Sequence, residues 1–324
     1  MKQRFVFSLL AICLMALSAC SSSQAPAPIH APPATAATKP TAPPITGYVL
    51  SNTEVRDITS STLHRDYQLF ISLPPSYQAQ PTRRFPVVFV TDANYAFPLI
   101  RSIAARVGDH GDGLEDFVLV GLSYAKGDTP AYSRQRDYTP TPNGGKDAKS
   151  DMPGRAPVYG EAEAYRQFIA NEVFPFVAKN YRVDMTRKTF SGHSYGALLG
   201  VHMLLTEPAM FERYIISSPS LWFDDKVMLA REREYAETHA DMPADVFLVI
   251  GGYETINRAS KDKRYNHSKD MLRDMQTFEA QLKSRHYPGL HVESHIVADE
   301  DHLTVYPDSI THGLMWALPP KVSQ

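Results

Sequence analysis

Short, nearly unbroken runs of apolar, β-branched and aromatic residues, separated by stretches with helical periodicity, constrain this 324-residue chain more than any other feature. Phe85 to Val90, Phe117 to Leu122, Tyr214 to Ser217 and Val246 to Ile250 carry almost no polar residue. A strand of that kind is buried on both faces, which is the mark of a parallel sheet covered by helices on either side. Tyr67 to Leu73 alternates with period two before Pro74-Pro75, and Val292 to Val297 is a further strand candidate. Helical patterns fall at about 159–179, 195–205, 226–238, 268–285 and 310–318. In the first, Tyr165, Phe168, Ile169, Val173 and Phe176 recur at spacings of three and four. The order predicts an α/β fold with a mostly parallel central sheet, helices on both faces, and an antiparallel start, since the opening strands precede any helix.

Into this alternation falls Gly192-His193-Ser194-Tyr195-Gly196, between the strand Lys188 to Ser191 and a helix rich in Ala and Leu. The G-x-S-x-G pattern arises by chance in roughly one chain in ten of this length. The strand–turn–helix context is what gives it weight, because a nucleophilic serine on an α/β sheet sits at the tip of such a turn. The flanking glycines let strand and helix approach, and the helix N-terminus favours a developing oxyanion.

A serine hydroxyl needs a base in reach and a group to orient that base. On this kind of sheet the chain order is serine, then acid, then histidine. His302 follows the last strand through Asp299-Glu300-Asp301 and is the expected base. His291 and His295 lie within the strand pattern, His312 lies in the last helix, and His193 is expected to point away from Ser194 across the turn. Glu254, the first carboxylate after the strand Val246 to Ile250, is the expected orienting acid, with Asp262 and Asp270 as rivals further along. The oxyanion would be held by backbone N–H groups of Tyr195 and of Asn94 or Tyr95, in the segment that follows Val87 to Val90.

Ala125 to Pro157 breaks the pattern, being rich in Pro, Gly, Asp and Lys. It reads either as a partly mobile cap over the site or as a passive insertion. Gly144-Gly145-Lys146 within it lacks the spacing, strand and hydroxyl of a phosphate loop.

The first residues are an address. Lys2 and Arg4 precede an apolar run, Phe5 to Leu17, too short for a membrane span of about 20 residues. Leu17-Ser18-Ala19-Cys20 resembles the lipobox of bacterial lipoproteins. The expected division is therefore a signal peptide over 1–19, a lipidated Cys20 opening a disordered Pro/Ala/Thr-rich tether over 20–46, and a catalytic domain over 47–324. Ser21 rather than aspartate points to an outer-membrane anchor facing the periplasm, with the membrane as a partner through the lipid. Cys13 and Cys20 are the only cysteines, so the domain has no disulfide, no cysteine nucleophile and no cysteine-ligated metal. No metal or cofactor is expected, and a net charge of −2 without a basic stripe gives no sign of nucleic-acid binding.

Taken in order, Phe85 to Tyr95, Arg136 to Pro140, Phe168 to Phe176, Ser191 to Gly196, Ser217 to Trp222 and Asp301-His302 resemble the putative-esterase family of α/β-hydrolases. Within it they resemble the branch of ferric enterobactin-type siderophore esterases. The resemblance spans about Tyr67 to Leu318. It departs at Ala197, where a second glycine is common, and at Asp92-Ala93, where Asp-Gly is common. It implies a serine esterase with Ser194, His302 and Glu254 as its catalytic residues and a small-molecule ester as substrate, of which a ferric trilactone siderophore is the leading case. Arg134, Arg136 and Trp222 are then candidate substrate contacts, the arginines through anionic catecholates. A general acyl or carbohydrate esterase is the alternative within the fold, and a non-catalytic binding lipoprotein is the alternative outside it. A cytosolic thioester substrate does not suit an exported chain.

Overall fold

The computed structural model describes residues 47–108, 113–145 and 148–320. The predicted signal peptide, Cys20 and the tether lie outside them, as does Lys146. From Val49 onward the chain is one unit.

It opens with β1 (Thr53–Ser60) and β2 (Arg65–Ser72), an antiparallel hairpin in register from Thr53 opposite Ser72 to Ser60 opposite Arg65. There follow β3 (Phe85–Val90), α1 (Ala93–Gly108), β4 (Val118–Leu122), α2 (Pro130–Asp137), α3 (Ala162–Phe168), α4 (Phe174–Asn180) and β5 (Val183–His193). The remainder is α5 (Tyr195–Thr206), β6 (Arg213–Ser217), α6 (Phe223–Thr238), β7 (Ala244–Gly251), α7 (Met271–Ser284), β8 (Leu290–Val297) and α8 (Tyr306–Ala317). The strands form one sheet in the order β1-β2-β4-β3-β5-β6-β7-β8, parallel from β4 to β8 and antiparallel at β1/β2 and β2/β4.

The apolar runs do what their composition demands. In β3, Phe85, Val87 and Phe89 pack on one face with α3 to α7, while Val88 and Val90 pack on the other with α1 and α8. Every residue of β3 and β4 is buried. From β3 the chain moves outward to β4 and then returns to β5 on β3's other side. The crevice at the C-terminal ends of β3 and β5 is therefore a topological switch point, where open α/β sheets bind ligands.

Several elements differ from expectation. β1 was not foreseen, because its TEVRDITS sequence forms a largely solvent-facing edge with no apolar stripe. β8 is the opposite edge and is mostly exposed, which accounts for its polar His291, Glu293, Ser294 and His295. The expected helix over 159–179 begins at Ala162 and widens into a π turn at Ile169–Val173. Pro175 lies two residues beyond it, and its missing N–H cannot bond the preceding turn. α8 starts at Tyr306 rather than Ile310, and α1 occupies a stretch read as loop. Within 125–157, α2 is a regular helix with Thr129 as its N-cap, and it buries Tyr132, Ser133, Arg136 and Asp137.

Candidate active site

Ser194 stands between β5 and α5 with φ 59° and ψ −118°, a conformation that non-glycine residues rarely hold. Two glycines make the turn possible. A Cβ on Gly192 would run into the backbone of Gly196 and Ala197, and one on Gly196 would strike the Thr91 hydroxyl. The Ser194 N–H donates to the Ser217 carbonyl at 3.0 Å, which ties the turn to the end of β6.

Two loops bring in the partners. After β7, Gly251 and Gly252 lie flat against the backbone of Ala298 and Glu300, where side chains would not fit. Gly252 N–H donates to Val297 O at 2.8 Å and Tyr253 N–H to Glu300 O at 3.0 Å. This clamp sets Glu254 beside His302. Glu254 is 1% exposed; its Oε2 is 2.7 Å from His302 Nδ1, while Oε1 accepts from the Ser218 hydroxyl at 2.5 Å and the Gly251 N–H at 3.0 Å. On the far side of the ring, His302 Nε2 is 3.0 Å from Ser194 Oγ. A carboxylate only accepts, so the Nδ1 proton faces Glu254 and the Nε2 lone pair faces the serine hydroxyl. The arrangement can therefore take a proton from Ser194 as its oxygen attacks, and return it to a leaving group.

The family described as "Putative esterase" matches residues 60–299, which contain the serine and the glutamate and end three residues before the histidine. The chain belongs to this family. Ferri-bacillibactin esterase BesA of Bacillus subtilis (strain 168) is 27% identical over 283 residues, covering 84% of this chain and 92% of its own length. A siderophore enterobactin esterase of Emericella nidulans is 25% identical over 276 residues, covering 77% of this chain and 88% of its own. Among solved structures, the BES protein from Bacillus cereus superimposes with a TM-score of 0.67 at 26% identity, covering 85% of this chain and 99% of that one. The protein is a serine hydrolase acting on carboxylic esters.

The rest of the esterase site departs from expectation in instructive ways. Tyr195 N–H lies in the first turn of α5, where helix N–H groups have no intrahelical acceptor. Asn94, the second residue of α1, also lies in a first helical turn. The Tyr95 N–H does not remain open as an oxyanion donor, since it donates to the Asp92 carbonyl at 3.2 Å. Asp92 turns the chain with φ 57°. Its buried carboxylate meets Arg134 Nε and the Tyr124 hydroxyl, each at 2.9 Å. Burial pushes its carboxyl up, against the pull of Arg134 and Tyr124.

Arg134 lies beside the residue after Ser194, its guanidinium 5.6 Å from the Tyr195 ring centroid, but its charge is committed to Asp92. Arg136 is a correction. It is 2% exposed and bound to Asp137 (2.8 Å) and Asp128 (2.6 Å), so it holds α2 in place and is not available as a substrate contact. Of the two readings of 125–157, the half containing α2 is anchored structure. Trp222 is near the site, its ring 5.9 Å from that of Tyr195.

His193 points neither into solvent nor at the serine. Its buried ring lies 4.7 Å from that of His302, with Nδ1 3.1 Å from the Ser217 hydroxyl and Tyr306 5.4 Å away. Burial, with His302 and Arg134 beside it, pushes its pKa down to about 3, so it is a neutral support for the His302 ring. Sequence reasoning missed this contact, and it missed Ser218 and Asp92, because each acts through the fold rather than through a motif. A cavity of about 440 Å³ at the opposite end of the sheet, lined by Pro74, Arg83, Arg101 and Phe117 among others, contains none of these residues.

Proposed function

We propose that the protein hydrolyses the ester backbone of a ferric siderophore through an acyl-enzyme on Ser194. The observation that carries the mechanism is the unbroken line Glu254–His302–Ser194, 2.7 Å and 3.0 Å at its two hydrogen bonds. Ser194 Oγ attacks the ester carbonyl carbon while His302 Nε2 takes its proton. Glu254 holds the ring and offsets the imidazolium charge. The N–H groups of Tyr195 and Asn94 receive the tetrahedral oxyanion. Collapse breaks the carbonyl–alkoxide bond, and His302 returns the proton to the departing alcohol. Water then repeats the sequence on the acyl-enzyme, freeing the acid and Ser194. For a trilactone the departing alcohol belongs to the same ring, so the first turnover yields the linear chain.

The substrate rests on the relatives, whose names carry ferri-bacillibactin, enterobactin and triacetylfusarinine C. The test is to incubate the protein with ferric enterobactin and follow products by mass spectrometry, with p-nitrophenyl butyrate as a second substrate. Linear trimer that is absent with Ser194→Ala supports the reading. Intact trilactone beside rapid butyrate cleavage removes the siderophore and leaves the esterase.

The chain is further inferred to work outside the cytoplasm as a lipoprotein, tethered through Cys20 at a membrane facing the periplasm. The support is the charged start, the short apolar run and Leu17-Ser18-Ala19-Cys20. Incorporation of labelled palmitate that disappears in Cys20→Ala tests it; equal labelling of the two contradicts it.

A further inference from the structure

Beside the nucleophile the aromatic side chains form a continuous strip. Tyr195, the residue after Ser194, lies 5.9 Å from Trp222 and 6.0 Å from Phe223, ring to ring. Lys269 closes the far end, with Nζ 2.8 Å from the Trp222 ring centroid. The backbone that presents these rings is strained on both sides, at Ser218 (φ 46°) and at the consecutive left-handed residues Asp224, Asp225 and Lys226 (φ 44°, 50° and 65°). Asp224 is tied down by Thr141 and Asn143 at 2.5 and 3.1 Å. Strain maintained in this way collects at functional sites.

Lys269 has lost part of its hydration, and burial lowers its pKa. An aromatic face restores only part of that loss, and partly buried ammonium groups are normally paired with carboxylates. Among the described residues Lys269 has no carboxylate partner. Its segment between Glu254 and α7 carries Arg258, Lys261, Lys263, Arg264 and Lys269 against only Asp262 and Asp270. Asp262 is taken by Arg264 at 2.7 Å, and Asp270 caps α7 and accepts from Thr255 at 2.8 Å. The segment is fastened at the site, since Asn266 N–H donates to Tyr253 O at 3.1 Å, next to Glu254.

We propose that Lys269, held on Trp222, is a specificity-determining cation that selects an anionic aromatic ester, so that of the ferric siderophores the protein prefers tris-catecholates over tris-hydroxamates. The charge arithmetic separates the two. Three doubly deprotonated catecholates around ferric iron leave a trianion, whereas three hydroxamates leave a neutral complex. Only the trianion completes the pairing of Lys269, and only its arenes extend the Tyr195–Trp222 strip. The inference rests on the siderophore reading above and deepens it.

The test is steady-state kinetics of the full chain on ferric enterobactin, ferric triacetylfusarinine C and p-nitrophenyl butyrate, for wild type, Lys269→Met and Lys269→Arg. For the wild type, kcat/KM is expected to be higher on the trianion than on the neutral complex and to fall with added salt. Lys269→Met should raise KM for the trianion about tenfold with kcat nearly held, as expected for loss of one charge-assisted contact. The ratio of kcat/KM for the trianion to that for butyrate should fall by the same factor, and Lys269→Arg should restore it. An unchanged KM in Lys269→Met overturns the inference while leaving the siderophore reading intact. So does a wild type that prefers the neutral complex, or a loss in Lys269→Met that is equal on all three esters. A wild type that cleaves butyrate but neither siderophore removes both.

Discussion

Glu254 Oε2 lies 2.7 Å from His302 Nδ1 where the loops after β7 and β8 are stitched together, and the other carboxylate oxygen is already taken by Ser218 and Gly251. The acid is therefore fixed before the histidine reaches it. Glu254→Gln keeps the shape but puts an amide where two oxygens accept from three donors. Turnover on p-nitrophenyl butyrate should fall by about 10² to 10⁴. The mismatched donors in a buried pocket should also cost about 1–3 kcal/mol of stability. Kinetics and thermal melts of the same variant check both.

Gly196 is required by its neighbours. Gly196→Ala would push a methyl group into Thr91 and toward the Asp92 carboxylate, moving the strand end that starts α1. The expected cost is about 1–3 kcal/mol, read as a drop of several degrees in melting temperature. Activity should fall with it, because Asn94 and Ser194 lie on the two segments forced apart.

Arg136 should separate stability from chemistry. Arg136→Ala takes away the cation that Asp137 and Asp128 share, leaving Asp137 with Arg65 at 3.5 Å and Asp128 with Arg155 at 2.5 Å. Breaking a buried pair costs up to about 3–5 kcal/mol, and the remaining arginines should hold the loss toward the lower end. At a temperature where the variant remains folded, its KM for esters should stay close to that of the wild type. A large rise in KM with unchanged melting would return Arg136 to the substrate site.

His193 gives the fold a pH dependence. The buried ring is held neutral with a pKa near 3, whereas the unfolded chain binds a proton there below about pH 6.5. Its contribution is thus fully present above that value and is lost progressively as pH falls toward 3, by up to a few kcal/mol. Wild type should lose melting temperature between pH 7 and 4.5, and His193→Gln should lose less over the same interval.

Legibility in the sequence followed the physics of each element. β3 coincides with Phe85 to Val90 because burial on both faces leaves no room for polar residues. The positions of Ser194, Glu254 and His302, which the structure brings together, could be read from their places after β5, β7 and β8, since a parallel sheet presents those loops at one end. β1 was invisible because an edge strand that carries Glu54, Arg56 and Asp57 and no apolar stripe looks like a loop. α1 was hidden by its own N-terminus, where Asp92-Ala93-Asn94 reads as a turn. Arg136 was misplaced because its composition signals charge, while its environment, a pair of buried aspartates, exists only in three dimensions. His193 and Lys269 are defined by rings more than twenty-five residues away in sequence, His302 and Trp222, and no local pattern encodes such a contact.

The most direct test of the account is to treat the protein with a fluorophosphonate near pH 8 and locate the adduct by peptide mass spectrometry. One adduct per chain on Ser194 is expected, absent in Ser194→Ala and slowed by several orders of magnitude in His302→Ala. Labelling at another residue, or labelling of Ser194 at an undiminished rate without His302, would contradict it.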